Sequence, residues 1–468
     1  MISAPSRRQL LSGNKILKNH YKTMWILVLV SVFFNTAACN LFRSQPTQPP
    51  VSETPKKEEP VVKNEEPKKE TPKKETNKKG PIFSGEDSLA RLYPEIKKQK
   101  YVVAIYLPLY LQVAEREKNH KTAITVAQEF YKGFLMAADT LRSCGKDYDI
   151  HVFDSEDPKN TFWSVSNKWK ELDVDLIFAP LLESKMTYLD SAAKRMKINL
   201  VSPLQVSEKC DTSRRFYLES IPSSETIGRN TAEYFKRAYP DYKYILVNEK
   251  YTSDNPIAKG FAVAMKGVDS FHVVDFGDKG PSRFTPQYKL GAKNIVFVPA
   301  KYEVFVAGLM SQLRVGPVIP KDDPKTPDVD ESIVTNPQPQ KEIIMAGLMN
   351  WQFFKTIEGD LWEKFKVHLA CQYFIDYKNP DVNVFIENYR KRYNEEPSSW
   401  SFMGFDELVY YAGMLNKHGK YFQRGLYMAN QPTLHSNYQL QFDTKCGGWR
   451  NIYINMLKFE GYELRKVE

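Results

Sequence analysis

The apolar positions between Tyr101 and Leu141 change period partway along. Val102 to Leu107 is a short apolar run stopped by Pro108, with the length and β-branched start of a strand buried on both faces. After a polar loop, Val126, Phe130, Phe134, Ala137 and Leu141 recur at helical spacing, a stripe that predicts a helix laid across a sheet. Strand, loop and helix make half of a βαβ unit, and open α/β sheets bind ligands at the carboxyl ends of their strands.

The rhythm repeats downstream. YDIHVFDSED (148–157) alternates and ends in acids, and FWSVSNKWKEL (162–172) predicts a helix with Trp163, Val165, Trp169 and Leu172 as buried positions. VDLIFAPLLES (174–184) reads as strand, proline turn and helix start; a helix through Met196 leads to a further strand, INLVSPL (198–204). This β-α-β-α-β-α-β order predicts a parallel, doubly wound sheet. RRFYLESIPSSET (214–226) reads as a strand crossing out of that sheet, with Ser223 or Ser224 capping the next helix. A second series follows: helix 225–238, strand 242–249, helix 255–267, strands 270–276 and 293–300, helix 302–313 and strand 342–349. Residues 318–341 are proline-rich and polar, which predicts a mobile surface insertion. Two amphipathic helices then turn at Asn394-Glu395-Glu396-Pro397, and the C-terminal stretch alternates with glycines at its turns, as a β-hairpin or small antiparallel addition does. The expected fold class is α/β, with two doubly wound parallel-sheet lobes joined by crossovers. Lobe 1 takes 100–221 and 374–468, and lobe 2 takes 222–373.

Upstream, Lys15, Lys18 and Lys22 flank an apolar core from Trp25 to Phe34, followed by Thr36-Ala37-Ala38 and Cys39. The core is short for a membrane span, which needs about 20 residues, and suits a secretory signal. The small residues before Cys39 resemble a lipobox, in which the cysteine thiol accepts diacylglycerol; residues 1–39 are therefore expected to be a lipoprotein signal with Cys39 lipidated. Residues 40–99 form a Pro/Lys/Glu-rich linker expected to be disordered. At about 3 Å per residue, such a tether reaches up to about 100 Å from its anchor.

Charge adds little to this picture. The formal net charge is +10, yet lysines alternate with glutamates in the linker and no basic helix interleaves with aromatics, so no nucleic-acid partner is expected. The remaining cysteines, Cys144, Cys210, Cys371 and Cys446, share no CxxC spacing, which argues against a metal site. They can form two disulfides in an oxidising compartment or stay as buried thiols, and spacing does not choose between these. No GxSxG, P-loop, GxGxxG or HExxH pattern occurs, and the seven histidines are scattered. His151 and His272 lie in apolar strands, where a structural role is expected. The acidic pairs Glu156-Asp157 and Glu395-Glu396 read as solvated turns. Neither an enzyme nor a cofactor is expected.

Three stretches carry a resemblance: IYLPLY…EFYKGFLMAAD, DLIFAPLLES…INLVSPL and SFMGFDELVYY…GGWRNIYINMLKFEGYELRKV. With the two-lobe layout they resemble the type 1 periplasmic binding protein fold. More narrowly, they are similar to branched-chain amino-acid-binding-like (ABC transporter substrate-binding-like) lipoproteins of Bacteroidetes, over residues 100–468. The same fold occurs in outer-membrane lipoprotein activators of penicillin-binding proteins. The resemblance implies a ligand held between the lobes by backbone amides and hydroxyls at helix N-termini. The matching positions are Pro108, Leu109 and Tyr110; Leu182, Glu183 and Ser184; Ser202 and Leu204; and Tyr251 and Asp254. Helix N-termini attract carboxylates, whereas Glu183 opposes an anion, and Leu109, Leu181, Leu182 and Leu204 make the rim apolar. The expected partner is a small molecule such as an amino acid or peptide, bound for transport or sensing. The alternative is a cell-envelope protein, near peptidoglycan synthesis, with the cleft vestigial. The resemblance places the chain on the outer membrane of a Gram-negative bacterium, facing the periplasm.

Overall fold

A computed structural model describes residues 93–112, 116–179, 186–203, 210–277, 291–315, 342–428 and 433–467. The signal segment, most of the linker and the 318–341 insertion lie outside these residues.

The chain builds two sheets with the same winding. In the first, β1 (Tyr101–Leu107) is flanked by β2 (Tyr148–Asp154) and β3 (Leu176–Phe178), followed by β4 (Asn199–Ser202) and β5 (Tyr217–Glu219), giving the parallel order 2-1-3-4-5. The second repeats it with β6 (Lys243–Asn248), β7 (Phe271–Asp275), β8 (Lys293–Phe297), β9 (Glu342–Leu348) and β10 (His368–Cys371), in the order 7-6-8-9-10. Both orders reverse direction beside the first strand of the lobe, which opens a crevice at the strands' carboxyl ends.

Helices cover both faces of each sheet. In lobe 1, α1 (Lys121–Ser143) lies on one face and α2 (Phe162–Glu171) and α3 (Met186–Met196) on the other. In lobe 2, α4 (Ser224–Ala238) and α5 (Pro256–Ala264) oppose α6 (Glu303–Val315) and the short α7 (Gly359–Lys364). The α8 (Pro380–Tyr393) and α9 (Ser399–His418) pair returns to lobe 1 and packs on α1 and β1. Phe130, Phe134, Ala137 and Leu141 are buried on α1 as their spacing requires. Trp163 is not: Val165, Trp169 and Leu172 follow one helical face, and Trp163, two residues before Val165, turns to the opposite side. It is 64% exposed, with the Arg195 guanidinium 5.7 Å from its ring centroid.

Each lobe contains one helix pair in backbone contact. A Cβ on Gly133 of α1 would lie 1.8 Å from the Ser401 carbonyl oxygen, and one on Gly404 of α9 would lie 2.0 Å from that of Phe130. In lobe 2, a Cβ on Gly228 of α4 would lie 1.8 Å from the Ile257 carbonyl oxygen, and one on Gly260 of α5 would lie 2.1 Å from that of Glu225.

Several sequence expectations need correction. The 214–226 strand does not leave the first sheet; β5 pairs in parallel with β4 inside it. The C-terminal segment is two hairpins on two lobes. β11 (Leu440–Phe442) and β12 (Trp449–Asn451) extend the first sheet beyond β5, whereas β13 (Asn455–Glu460) and β14 (Glu463–Lys466) extend the second beyond β10. Assigning all of 374–468 to lobe 1 therefore fails at its last strands, because alternation marks a hairpin without saying which sheet edge accepts it. The linker's end is also ordered. Tyr93 is buried edge-on against Phe216, and Lys98 Nζ lies 2.8 Å from the buried Asp175 carboxylate. Among the cysteines, Cys210 bonds to Cys446, tying the β4–β5 connection to the β11–β12 turn, and Cys371 is a buried free thiol. The four do not form two bridges among themselves.

Candidate functional site

The loop after β1 holds Pro108, Leu109 and Tyr110, where the resemblance places ligand-binding amides. Those amides are already engaged. Asp154, the last residue of β2, accepts the backbone N–H of Leu109 at 3.0 Å, Tyr110 at 3.1 Å and Leu111 at 2.8 Å, and that of Glu156 at 3.0 Å. Register places Asp154 beside Leu107, so the carboxylate sits where the turn begins. The chain supplies its own anion to the nest of amides.

Lobe 2 repeats the device at its matching edge pair of strands. Asp275 ends β7 beside Asn248 of β6. Its carboxylate accepts the Thr252 N–H at 3.2 Å, the Thr252 hydroxyl at 2.7 Å and the Asn248 side-chain amide at 2.9 Å. Tyr251 and Asp254 flank this knot, both exposed. Asn255 then closes the crevice between β6 and β8: its Oδ1 accepts from Ile257 and Ala258 at the start of α5, and its Nδ2 donates to the Pro299 carbonyl at 2.9 Å.

The chain passes between the lobes at 220–223, 372–379 and 452–454. Side-chain amides stitch these crossovers together. Asn451 Nδ2 donates to the Ser220 carbonyl at 2.7 Å and to that of Asn437 at 2.8 Å, while its Oδ1 accepts from Gln439 and Tyr453 at 3.0 Å each. Gln372 Nε2 donates to the Pro222 carbonyl at 3.3 Å. Beneath them, the Ser220 hydroxyl donates to Glu407 of α9 at 2.9 Å and the Tyr438 hydroxyl reaches the same carboxyl group at 3.4 Å. Complete burial pushes the Glu407 pKa up to about 8. Burial also raises Glu219, at the end of β5, to about 7, against the opposing pull of Arg450 and Arg214.

Two cavities are lined by residues of both lobes. One, of about 740 Å³, lies between the first turns of α4 and α5 and the β11–β12 turn. Ser223 caps α4 by accepting from Thr226 at 3.1 Å, and Arg229 and Lys259 reach the cavity from α4 and α5. Arg450 faces them from lobe 1, 3.0 Å from Asp443. Asp254 also lines the cavity, so cations and anions both front it. The other cavity, of about 810 Å³, lies between the 372–378 crossover, the β13–β14 hairpin and the α9 N-terminus.

Of the residues singled out in the sequence, Asp254 therefore borders an inter-lobe cavity. Pro108, Leu109 and Tyr110 belong to a loop closed on itself. Ser202 is buried, and its carbonyl accepts from Ser220 at 3.0 Å. Leu182, Glu183, Ser184 and Leu204 lie outside the described residues, as does Cys39. Arg229, Lys259 and Arg450 were not singled out, since a lone cation near the start of a helix or on a short strand looks like ordinary solvated surface. Glu395 and Glu396 pair with Lys132 and Arg390; Glu156 and Asp157, partly exposed in the turn after β2, also line a further cavity. No group of three metal-ligating side chains, and no helix long and apolar enough to cross a membrane, occurs among the described residues.

No family model and no curated protein matches the sequence. Solved structures do match in shape. A protein assigned as a branched-chain amino acid ABC transporter from Rhodospirillum rubrum aligns with 79% of this chain and 100% of its own length, at 12% identity and a TM-score of 0.53. Full-length LpoA from Haemophilus influenzae aligns with 82% of this chain at 12% identity and a TM-score of 0.52, the match spanning 62% of LpoA. The LpoA C-domain, a regulator of PBP1A, aligns with 78% of this chain at 11% identity, with a TM-score of 0.48. At these identities the likeness concerns the fold, and that fold is the two-lobed α/β architecture of type 1 periplasmic binding proteins.

Proposed function

We propose that this chain is a non-enzymatic, tethered solute-binding protein that holds a small molecule, such as an amino acid or short peptide, between its lobes for transport or sensing. The observation that carries the reading is the 740 Å³ cavity, where two capped helix N-termini of lobe 2 meet Arg450 and Asp443 of lobe 1. Arg229, Lys259 and the α4 and α5 dipoles suit a ligand carboxylate, while Asp254 and Asp443 suit an ammonium group. Side chains at this cavity take the place of the 109–111 amides, which Asp154 occupies. Diacylglycerol on Cys39 anchors the domain to the outer membrane, facing the periplasm, with the linker as spacer. A ligand of this kind stabilises the folded state by linkage. Thermal unfolding against amino acids, short peptides and muropeptides tests the reading, and a saturable rise with one chemical class is the expected result.

A second reading has its own observation. Carboxylates of the chain itself fill the strand-end loops of both lobes, as suits a vestigial cleft in a cell-envelope interaction module near peptidoglycan synthesis. On that reading no small molecule shifts the melting temperature, and crosslinking in the envelope recovers a protein or glycan partner instead.

A further inference from the structure

Lobe 1 contains a cavity of about 420 Å³ away from the crossovers, between the loop after β2 and the α2 and α3 helices. Its floor is aromatic: Tyr106 of β1 and Trp169 of α2 meet edge to face with centroids 6.1 Å apart. Tyr188 stands at its edge, 63% exposed. Among the described residues, the charged side chains lining it are those of Glu156 and Asp157. Burial first, then the negative charges of Glu156 and Asp154, push the Tyr106 pKa up to about 12, in keeping with a negative field at the floor. The first turn of α2, whose dipole favours anions, is capped by Thr161 accepting from Ser164 at 3.3 Å. Trp169 is 1% exposed, and its indole Nε1–H has no acceptor among the described residues.

We propose that this cavity is a second binding site, specific for a small organic cation: an ammonium group with a short apolar body and a hydroxyl or carbonyl oxygen. Aromatic faces and carboxylates together attract a cation and reject anions, and the oxygen gives the Trp169 N–H its acceptor. The volume suits a ligand of that size. The site stands independently of the inter-lobe cavity, sharing no lining residue with it.

The test is calorimetric titration of the full chain with choline, tetramethylammonium and butylammonium, beside 3,3-dimethylbutan-1-ol, the uncharged counterpart of choline. Choline is expected to bind saturably, and the uncharged alcohol at least about tenfold more weakly. Glu156→Gln and Tyr188→Ala alter side chains at the cavity edge and are expected to weaken choline by about three- to tenfold, with wild-type melting temperatures. Asp157→Asn serves as a second charge variant should Glu156→Gln misfold. Three results overturn the proposal: no binding by any of the three cations, equal binding of choline and the alcohol, or undiminished choline binding in the correctly folded variants.

Discussion

The Asp154 carboxylate accepts the backbone N–H of Leu111 at 2.8 Å, and through the same group holds the two amides before it. Asp275 plays the equivalent part in lobe 2 with Thr252. The two aspartates occupy matching places in matching windings, each at the last paired position of an edge strand. What a free ligand's carboxylate would do in an open strand-end loop, the chain does for itself.

Asp154→Ala should therefore cost stability. Hydrogen bonds to a charged acceptor contribute about 1.5–3 kcal/mol each, and they share one carboxylate, so a loss of about 2–4 kcal/mol in urea unfolding is expected. Asp154→Asn keeps one acceptor and should lose about half as much. Affinity at the inter-lobe cavity should not follow, whereas Arg229→Ala and Arg450→Ala should weaken a carboxylate ligand about tenfold with little change in melting. A stability change below about 0.5 kcal/mol for Asp154→Ala would show that the loop is held by something else.

The winding of both sheets was legible in the sequence because each buried parallel strand is a continuous apolar run, as in Tyr244–Val247 and Ile343–Leu348. β10 was not: four residues containing His368 make too short a run, and only pairing on both sides identifies the strand. His368 is buried with its Nε2 3.1 Å from the Tyr239 hydroxyl and its Nδ1 2.7 Å from the Lys366 carbonyl. The site was less legible for a different reason. Asp154 and Asp275 read as the polar ends of strands, and nothing in a linear pattern tells that a carboxylate folds back on the amides of the strand beside it. Ser202 failed similarly, since a hydroxyl at a strand end points to a cleft only when no further strand covers it, and β5 does.

The glycine crossings give a sharper test, because neighbouring glycines differ in what surrounds them. Alanine at Gly228 or Gly133 would drive a methyl into a backbone carbonyl, and separating the helices should cost about 2–4 kcal/mol. Gly308 in α6 has nothing within 4 Å of its Cβ position, so Gly308→Ala should stabilise by about 0.5–1 kcal/mol through helix propensity alone. Chemical denaturation of the three variants distinguishes the cases by sign.

The disulfide and the buried thiol predict separable chemistry. Cys210 and Cys446 are 236 residues apart in sequence, so their link closes a long loop in the unfolded chain and its loss should cost roughly 2–5 kcal/mol. Cys446→Ser should lower the melting temperature accordingly, as should mild reduction. Burial pushes the Cys371 thiol up to about 12, leaving almost no thiolate at neutral pH. Iodoacetamide should label Cys371 only after denaturation, read by peptide mass; rapid labelling of the native protein would refute its burial.

Glu407 predicts how stability varies with pH. Its folded pKa is about 8, raised by burial from an ordinary value of about 4.5, so between these limits the folded state holds a proton that the unfolded chain has released. Unfolding then releases a proton, and the stability that Glu407 contributes is complete below about pH 4.5 and falls as pH rises, until it is lost above about pH 8. The full span corresponds to roughly 3–5 kcal/mol. Glu219 acts with the same sign over a shorter range, up to about pH 7. Glu407→Gln carries no such proton and keeps a side chain of the same shape beside Ser220 and Tyr438. It should match the wild type near pH 5, or fall slightly below it, and exceed the wild type at pH 8.5, the difference growing steadily between. Urea unfolding of both proteins from pH 5 to 8.5 reads that difference directly. Parallel stability curves would mean that Glu407 is charged in the folded protein, with its burial compensated in some other way.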